Sequence, residues 1–402
     1  MTDALVNMKR KELALSSLLE ITQAINNNLP EEALYKIYHF TLRGNLNIQR
    51  LALFVAEEGH WACKAFFGVA AQVIAQPFAL ALFAEAKDIG PLSSAQKEAG
   101  FADFELLIPI YHKQSLLALV LASPTRQEEI DTSFVQTLTN IIIVAIENKK
   151  LAKKQVQQEL FQKELAIARQ VQQRLFPKHL PNSPQLQAEA YYQPHSSVGG
   201  DYYDFIRLSE EEFLFCIADV SGKGMAAALM MSNFQASLRT LARQTKDLVA
   251  MVEELNYLLH DTTEGEHFIT FFVAIYHRQE GRLSYINAGH NPPLLLFPQG
   301  ELQKLEKGTT VLGIFSPLPF IEKAELQVPG SFLLFSYTDG LNETINEADE
   351  QFGDERLMDF LHRHAHHSPA ALQKALIAEL QDFKGSMPYS DDITLFLLKA
   401  EA

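Results

Sequence analysis

The sequence predicts an α+β protein in two parts joined by a long helix, and three observations carry that prediction. Beyond residue 185, apolar strand runs follow one another in hairpin order with helical runs grouped between them. Before residue 148, a helical segment, four strand-like runs and a second helical segment make a smaller unit. Between the two, residues 147–176 turn to Lys, Gln, Glu and Ala with no Gly or Pro, the composition of an uninterrupted helix. A chain of 402 residues is long enough for two cores, and 47% apolar with 21% charged residues is globular composition. The net charge of −15 argues against a nucleic-acid surface as the main function. Cys63 and Cys216 each stand in an apolar run, as buried thiols of a reducing compartment do. With no signal-peptide pattern and no apolar run of membrane-spanning length, a cytoplasmic location without membrane insertion is expected.

Taken in order, Leu15, Leu18, Leu19, Ile21, Ile25, Leu34, Ile37 and Phe40 recur at mostly helical spacings and predict helix over 9–42. Strand-like runs follow at 50–56, 61–68, 106–112 and 115–122, the last two close enough to pair as a hairpin. Residues 69–104 read as loops and short helices covering one sheet face. Asp131 is the expected cap of a helix that carries Ile141, Ile142, Ile143, Val144 and Ile146. This pattern resembles a GAF domain over residues 10–148. The resemblance implies a small-molecule sensor or a dimerising scaffold; a domain that binds nothing is the alternative. No Cys is placed for a bilin, and no residue set names a nucleotide or haem.

Residues 149–177 are read as a helical linker. Leu160, Ile167, Val171 and Leu175 form a narrow apolar stripe, which suits a coiled coil between two copies and hence a homodimer, or else a single helix packed on its own chain. Pro177, Pro181 and Pro184 end the helix and open the second domain, 178–400. There, strands are expected at 268–277 and 282–289 around a turn at 278–281, and again at 294–297. Helices are expected at 225–244, at 247–260 with Leu248, Val252, Leu255 and Leu259 on one face, and at 369–383.

The chemistry lies at the ends of these strands. The run 213–224, FLFCIADVSGKG, carries Asp219 to the rim of a core, where an anion needs a cation. Similar acids recur: Asp339 after 331–338, Asp391 and Asp392 before 393–399, and Asp201 behind the pair Gly199-Gly200. Separated acids with no Cys/His cluster suit Mg²⁺ or Mn²⁺ and not zinc. Two look-alikes fail. GGDYYDF is near GGDEF, but that reading leaves Asp219, Asp339 and Asp391 unexplained; SGKG lacks the leading Gly and the Ser/Thr of a phosphate loop.

Seven motifs in order, ARQVQQRLFP, VGGDYYD, ADVSGKGMAAALMM, INAGHNPPLLL, YTDGLNE, FGDERL and DDIT, resemble the SpoIIE/RsbU-type branch of the PPM metal-dependent serine/threonine protein phosphatases over about residues 165–400. The resemblance implies an α-β-β-α sandwich with two divalent ions, Mn²⁺ or Mg²⁺, at one edge. It implies that Asp219 is shared by both ions and joined by the Val220 carbonyl, that Asp201 serves one, and that Asp339 and Asp391 complete the other. Asp392, Gly199, Gly200 and Gly340 would stand behind these ligands, and Asn291 would orient water. Water activated between the ions would attack phosphorus in line, with no covalent enzyme intermediate. His290 is a candidate to protonate the leaving oxygen or hold phosphate, with a structural histidine as the alternative. No upstream Arg stands in a phosphate-clamping motif. The resemblance further implies a phosphoserine or phosphothreonine substrate on a STAS-domain anti-anti-sigma partner, and a signal, small molecule or protein, received by the GAF-like domain. A catalytically silent scaffold that binds a phosphoprotein is the competing class; metal-dependent hydrolysis separates the two.

Overall fold

The computed structural model describes residues 2–45, 48–57, 60–74, 82–83, 86–112, 115–125, 130–328 and 330–401. The chain divides into two compact units, Met1–Glu159 and Leu160–Ala402.

In the first unit, the helix expected over 9–42 is two helices, Thr2–Asn26 and Glu31–Asn45. The interruption has a local cause. Asn28 takes a left-handed φ of 55°, and Pro30 disfavours helical geometry at the residue before it. An antiparallel sheet follows, in the order His60–Phe67, Ile48–Glu57, Ser115–Pro124, Leu106–His112, Gly90–Pro91. The predicted hairpin pairs from Leu106↔Ala122 to His112↔Ser115; its turn, 113–114, lies outside the described residues. One face of the sheet buries Leu51, Leu53, Val120 and Ala122 against Ile21, Leu34, Tyr38, Leu138 and Ile142 of the helices. The other buries Phe54 and Leu121 against Phe83, Phe101 and Phe104. These three come from the 69–104 stretch, of which 75–81 and 84–85 lie outside the described residues.

Asp131 begins the next helix, its carboxylate accepting from the Phe134 N–H at 3.0 Å. The helix runs unbroken over Thr132–Gln173. Along it Leu160, Ile167 and Val171 are each more than half exposed, whereas Leu175, beyond its end, packs on the core of the second unit.

The second unit is built on two six-stranded sheets. The first runs Gly308–Thr309, Arg282–Ala288, Ile269–His277, Glu212–Val220, Tyr202–Arg207, with Ala324–Gln327 also paired to Arg282–Ala288. The second runs Leu302–Lys304, Leu294–Leu296, Phe332–Tyr337, Ile393–Ala400, Leu186–Gln193, Asn182–Ser183. Strand alternation sorts the side chains into layers. Phe215, Ile217, Phe272 and Ala274 meet Leu334, Phe396 and Leu398 between the sheets, where Phe215 and Phe396 stack at 5.7 Å. Leu214, Cys216, Phe271 and Val273 face the other way, onto Met231, Leu238, Val252 and Leu255 of helices Met225–Gln244 and Leu248–Thr263. Leu333, Phe335, Leu395 and Leu397 meet Leu357, Phe360, Leu372 and Leu376 of helices Gly353–His364 and Pro369–Lys384. The outcome is helix, sheet, sheet, helix. Among the described residues no helix is long and apolar enough to cross a membrane.

Candidate active site

The register of the strands brings the acids to one edge. Asp219 is the last residue but one of its strand and lies opposite Thr270, while Asp201 immediately precedes Tyr202, which pairs with Ala218. From the second sheet, Asp339 follows the strand ending at Tyr337, and Asp391 and Asp392 precede the one beginning at Ile393. Two threonines join the sheets there. Thr338 Oγ1 donates to Asp201 Oδ2 at 2.8 Å, and Thr394 Oγ1 donates to the same oxygen at 2.5 Å. The Thr394 N–H in turn donates to Thr338 Oγ1 at 2.9 Å. Asp201 is thus presented by side chains from 137 and 193 residues away.

Asp392 organises backbone. Its Oδ1 accepts from the His195 N–H and its Oδ2 from the Gly200 N–H, both at 2.7 Å. Two glycines permit the close approach: a Cβ on Gly200 would stand 2.9 Å from the Val220 carbonyl oxygen, and one on Gly340 would stand 2.0 Å from that of Asp392.

The carboxyls repel one another in a poorly hydrated place. Burial, then Asp219 and Asp392, hold Asp201 well above the usual carboxylate range. Burial and then Asp339 push Asp219 up to about 7. Burial also raises Asp339, helped by Glu343, and it raises Asp392 against the bonds from His195 and Gly200. Asp391 meets a cation: Lys223 Nζ lies 2.7 Å from its Oδ2.

An all-oxygen set of mutually repelling acids fits hard divalent cations. Among the described residues no group of three or more His, Cys, Asp or Glu side chains is arranged to hold a metal ion.

His290 and Asn291 are the remaining candidates. His290 is 4% exposed, bonded through Nδ1 to Thr270 Oγ1 at 2.9 Å, and burial pushes its pKa down to about 3. Its N–H donates to Asn287 Oδ1 at 2.8 Å, and Asn287 Nδ2 returns a bond to the His290 carbonyl at 3.0 Å. Asn291 Nδ2 donates to Asn342 Oδ1 at 3.3 Å. Sequence reasoning missed Thr338, Thr394, Lys223 and Gln172. All four stand inside the motifs YTDG, DDIT, SGKG and ARQVQQRLFP, but nothing in one dimension shows what a threonine three folds away will touch.

Residues 209–401 match the family model described as Stage II sporulation protein E. Protein IcfG of Synechocystis sp. is 29% identical over 240 residues, covering 53% of this chain and 38% of that protein. Phosphoserine phosphatase RsbP of Bacillus subtilis is 27% identical over 218 residues, covering 53% of this chain and 52% of that protein. The chain therefore spans about half or less of the length of these relatives. The SiaA-PP2C domain of Pseudomonas aeruginosa superposes with a TM-score of 0.53 at 20% identity, covering 61% of this chain and 98% of that one, which is a likeness of fold. The seven motifs, the layered sandwich and the family match all fall in the same half, and there the chain is similar to the SpoIIE/RsbU-type PPM phosphatases.

Proposed function

We propose that the protein is a metal-dependent serine/threonine phosphatase of bacterial signalling that hydrolyses a phosphoserine or phosphothreonine with two divalent ions, Mn²⁺ or Mg²⁺. The observation that carries this reading is the gathering of Asp201, Asp219, Asp339 and Asp391 on one edge of the sandwich, three of them raised by burial and by other acids. Asp219 would be shared, with the Val220 carbonyl and Asp201 on one ion and Asp339 and Asp391 on the other. Bound ions supply Lewis acidity, lowering the pKa of water and offsetting phosphoryl charge. The chain's own part is positional. Thr338 and Thr394 fix the Asp201 carboxyl, Asp392 fixes the Gly200 backbone beside it, and burial keeps the local dielectric low.

The relative named a phosphoserine phosphatase supports a phosphoserine substrate, which we read as borne on a protein. We assign it as a phosphorylated STAS-domain anti-anti-sigma protein. The first unit is read as a GAF-like receiver of a small-molecule or protein signal, and the exposed Leu160, Ile167 and Val171 as the seam of a homodimeric coiled coil.

Phosphate release from a phosphoserine peptide, measured with Mn²⁺, with EDTA and for Asp339→Asn, tests the activity. Hydrolysis that needs both metal and Asp339 supports it. Absence of turnover together with a blank calorimetric metal titration would leave the silent scaffold.

A further inference from the structure

The turn between strand Glu212–Val220 and helix Met225–Gln244 holds the one ammonium in ion-pair contact with the four acids among the described residues. Lys223 Nζ lies 2.7 Å from Asp391 Oδ2 and donates to the Ser390 carbonyl at 2.9 Å. The other oxygen, Asp391 Oδ1, accepts from the Asp392 N–H at 2.9 Å. Both oxygens of Asp391 are therefore already engaged. A divalent ion arriving there meets the like charge of the ammonium at Oδ2 but only a neutral amide at Oδ1, so the two donors are unequal. The amide of Asp392 is fixed by the strand it leads into, whereas the Lys223 side chain is 57% exposed and paired to a carboxylate 36% exposed. Such a pair is weak and readily exchanged.

The turn gives the lysine room. Gly222 and Gly224, on either side, take φ of 95° and 73°, and nothing stands within 4 Å of where a Cβ on either would be. Once released, the ammonium stays on its tether at the rim of the acidic edge, where a phosphoryl group brings negative charge and where the sequence offers no arginine clamp. Ammonium to phosphate oxygen is a strong, charge-assisted hydrogen bond.

Resting on the two-ion reading above, we propose that Lys223 is the exchangeable cation of this site. It caps Asp391 while no divalent ion is present, gives that carboxylate up to the ion, and then binds a phosphoryl oxygen of the substrate.

The test is calorimetric and uses the full chain. Mn²⁺ is titrated into the wild type, Lys223→Met and Lys223→Arg, and inorganic phosphate is then titrated into each protein loaded with Mg²⁺. Removing the competing ammonium should tighten Mn²⁺ binding roughly two- to fivefold. It should also weaken phosphate binding about tenfold, with Lys223→Arg restoring most of the phosphate affinity. Mn²⁺ affinity that is unchanged or weaker in Lys223→Met overturns the exchange, and unchanged phosphate affinity overturns the substrate contact; in both cases the two-ion reading stands. If neither wild type nor Lys223→Met binds Mn²⁺, both readings fall together.

Discussion

The carboxamide of Gln172 spans both backbone groups of Gly199, donating to its carbonyl oxygen at 2.7 Å and accepting from its N–H at 3.4 Å. Gln172 is the last residue but one of helix Thr132–Gln173, and Gly199 leads directly into Gly200 and Asp201. One buried side chain therefore ties a helix end to the backbone that presents an acid.

Gln172→Ala leaves a buried N–H and C=O without partners, at a cost of about 1–3 kcal/mol each. If the contact positions Asp201, Mn²⁺ affinity should fall about tenfold, and Gln172→Glu, which keeps only the acceptor, should not rescue it. Calorimetry beside thermal unfolding separates the roles. A lower Tm with unchanged Mn²⁺ affinity would confine Gln172 to stability.

Asp204, in the same VGGDYYD motif as Asp201, has a different task. It is fully buried, gripped by Arg239 through Nε at 2.7 Å and Nη2 at 2.8 Å, and bonded by the Tyr202 hydroxyl at 2.5 Å. Removing the guanidinium strands a buried charge, which costs about 3–5 kcal/mol. Arg239→Ala should therefore lower stability in urea unfolding by about that amount. Mn²⁺ affinity of the fraction still folded should be unchanged; a selective loss of metal binding would place Asp204 among the ligands instead.

The raised pKa of Asp219 makes the metal-free protein sensitive to pH. An acid whose folded pKa is about 7 and whose unfolded pKa is about 3.8 binds more protons folded than unfolded between those values. Its contribution to stability thus declines as pH rises from about 4 to about 7. In EDTA, Asp219→Asn should be more stable than wild type at pH 7.5, by on the order of 2–4 kcal/mol, and equal to it near pH 4. Mn²⁺ at pH 7.5 should raise the Tm of the wild type and leave the variant nearly unmoved. Equal stability of the two proteins across this range would mean that Asp219 carries no such strain.

What the sequence made legible was local. The apolar run ending at Ala218 announced an acid at a strand end, and the helix expected at 225–244 is found at Met225–Gln244. The joint between the sheets was not legible, because the threonines that hold Asp201 lie 137 and 193 residues from it and are ordinary turn residues by type. Lys223 was passed over for a related reason: measured from Asp219 it is four residues along the chain, while its partner, Asp391, belongs to another sheet. The burial of His290 and its bond to Thr270, the residue opposite Asp219, were equally hidden in one dimension. The break between the first two helices was written in Asn28 and Pro30, and helical periodicity on either side concealed it.

The helix Thr132–Gln173 runs without Gly or Pro and passes from one compact unit into the next. A continuous helix transmits rotation: each inserted residue turns everything beyond it by about 100°, and seven residues complete nearly two turns. If the first unit governs the second through this helix, insertions of two or four residues after Glu159 should change the rate of phosphate release several-fold. Seven should restore it, because the stripe of Leu160, Ile167 and Val171 then returns to its original phase. Phosphoserine-peptide hydrolysis, measured on the series with metal saturating, provides the check. Equal rates for two, four and seven residues would mean that the helix is a tether and carries no torsional signal.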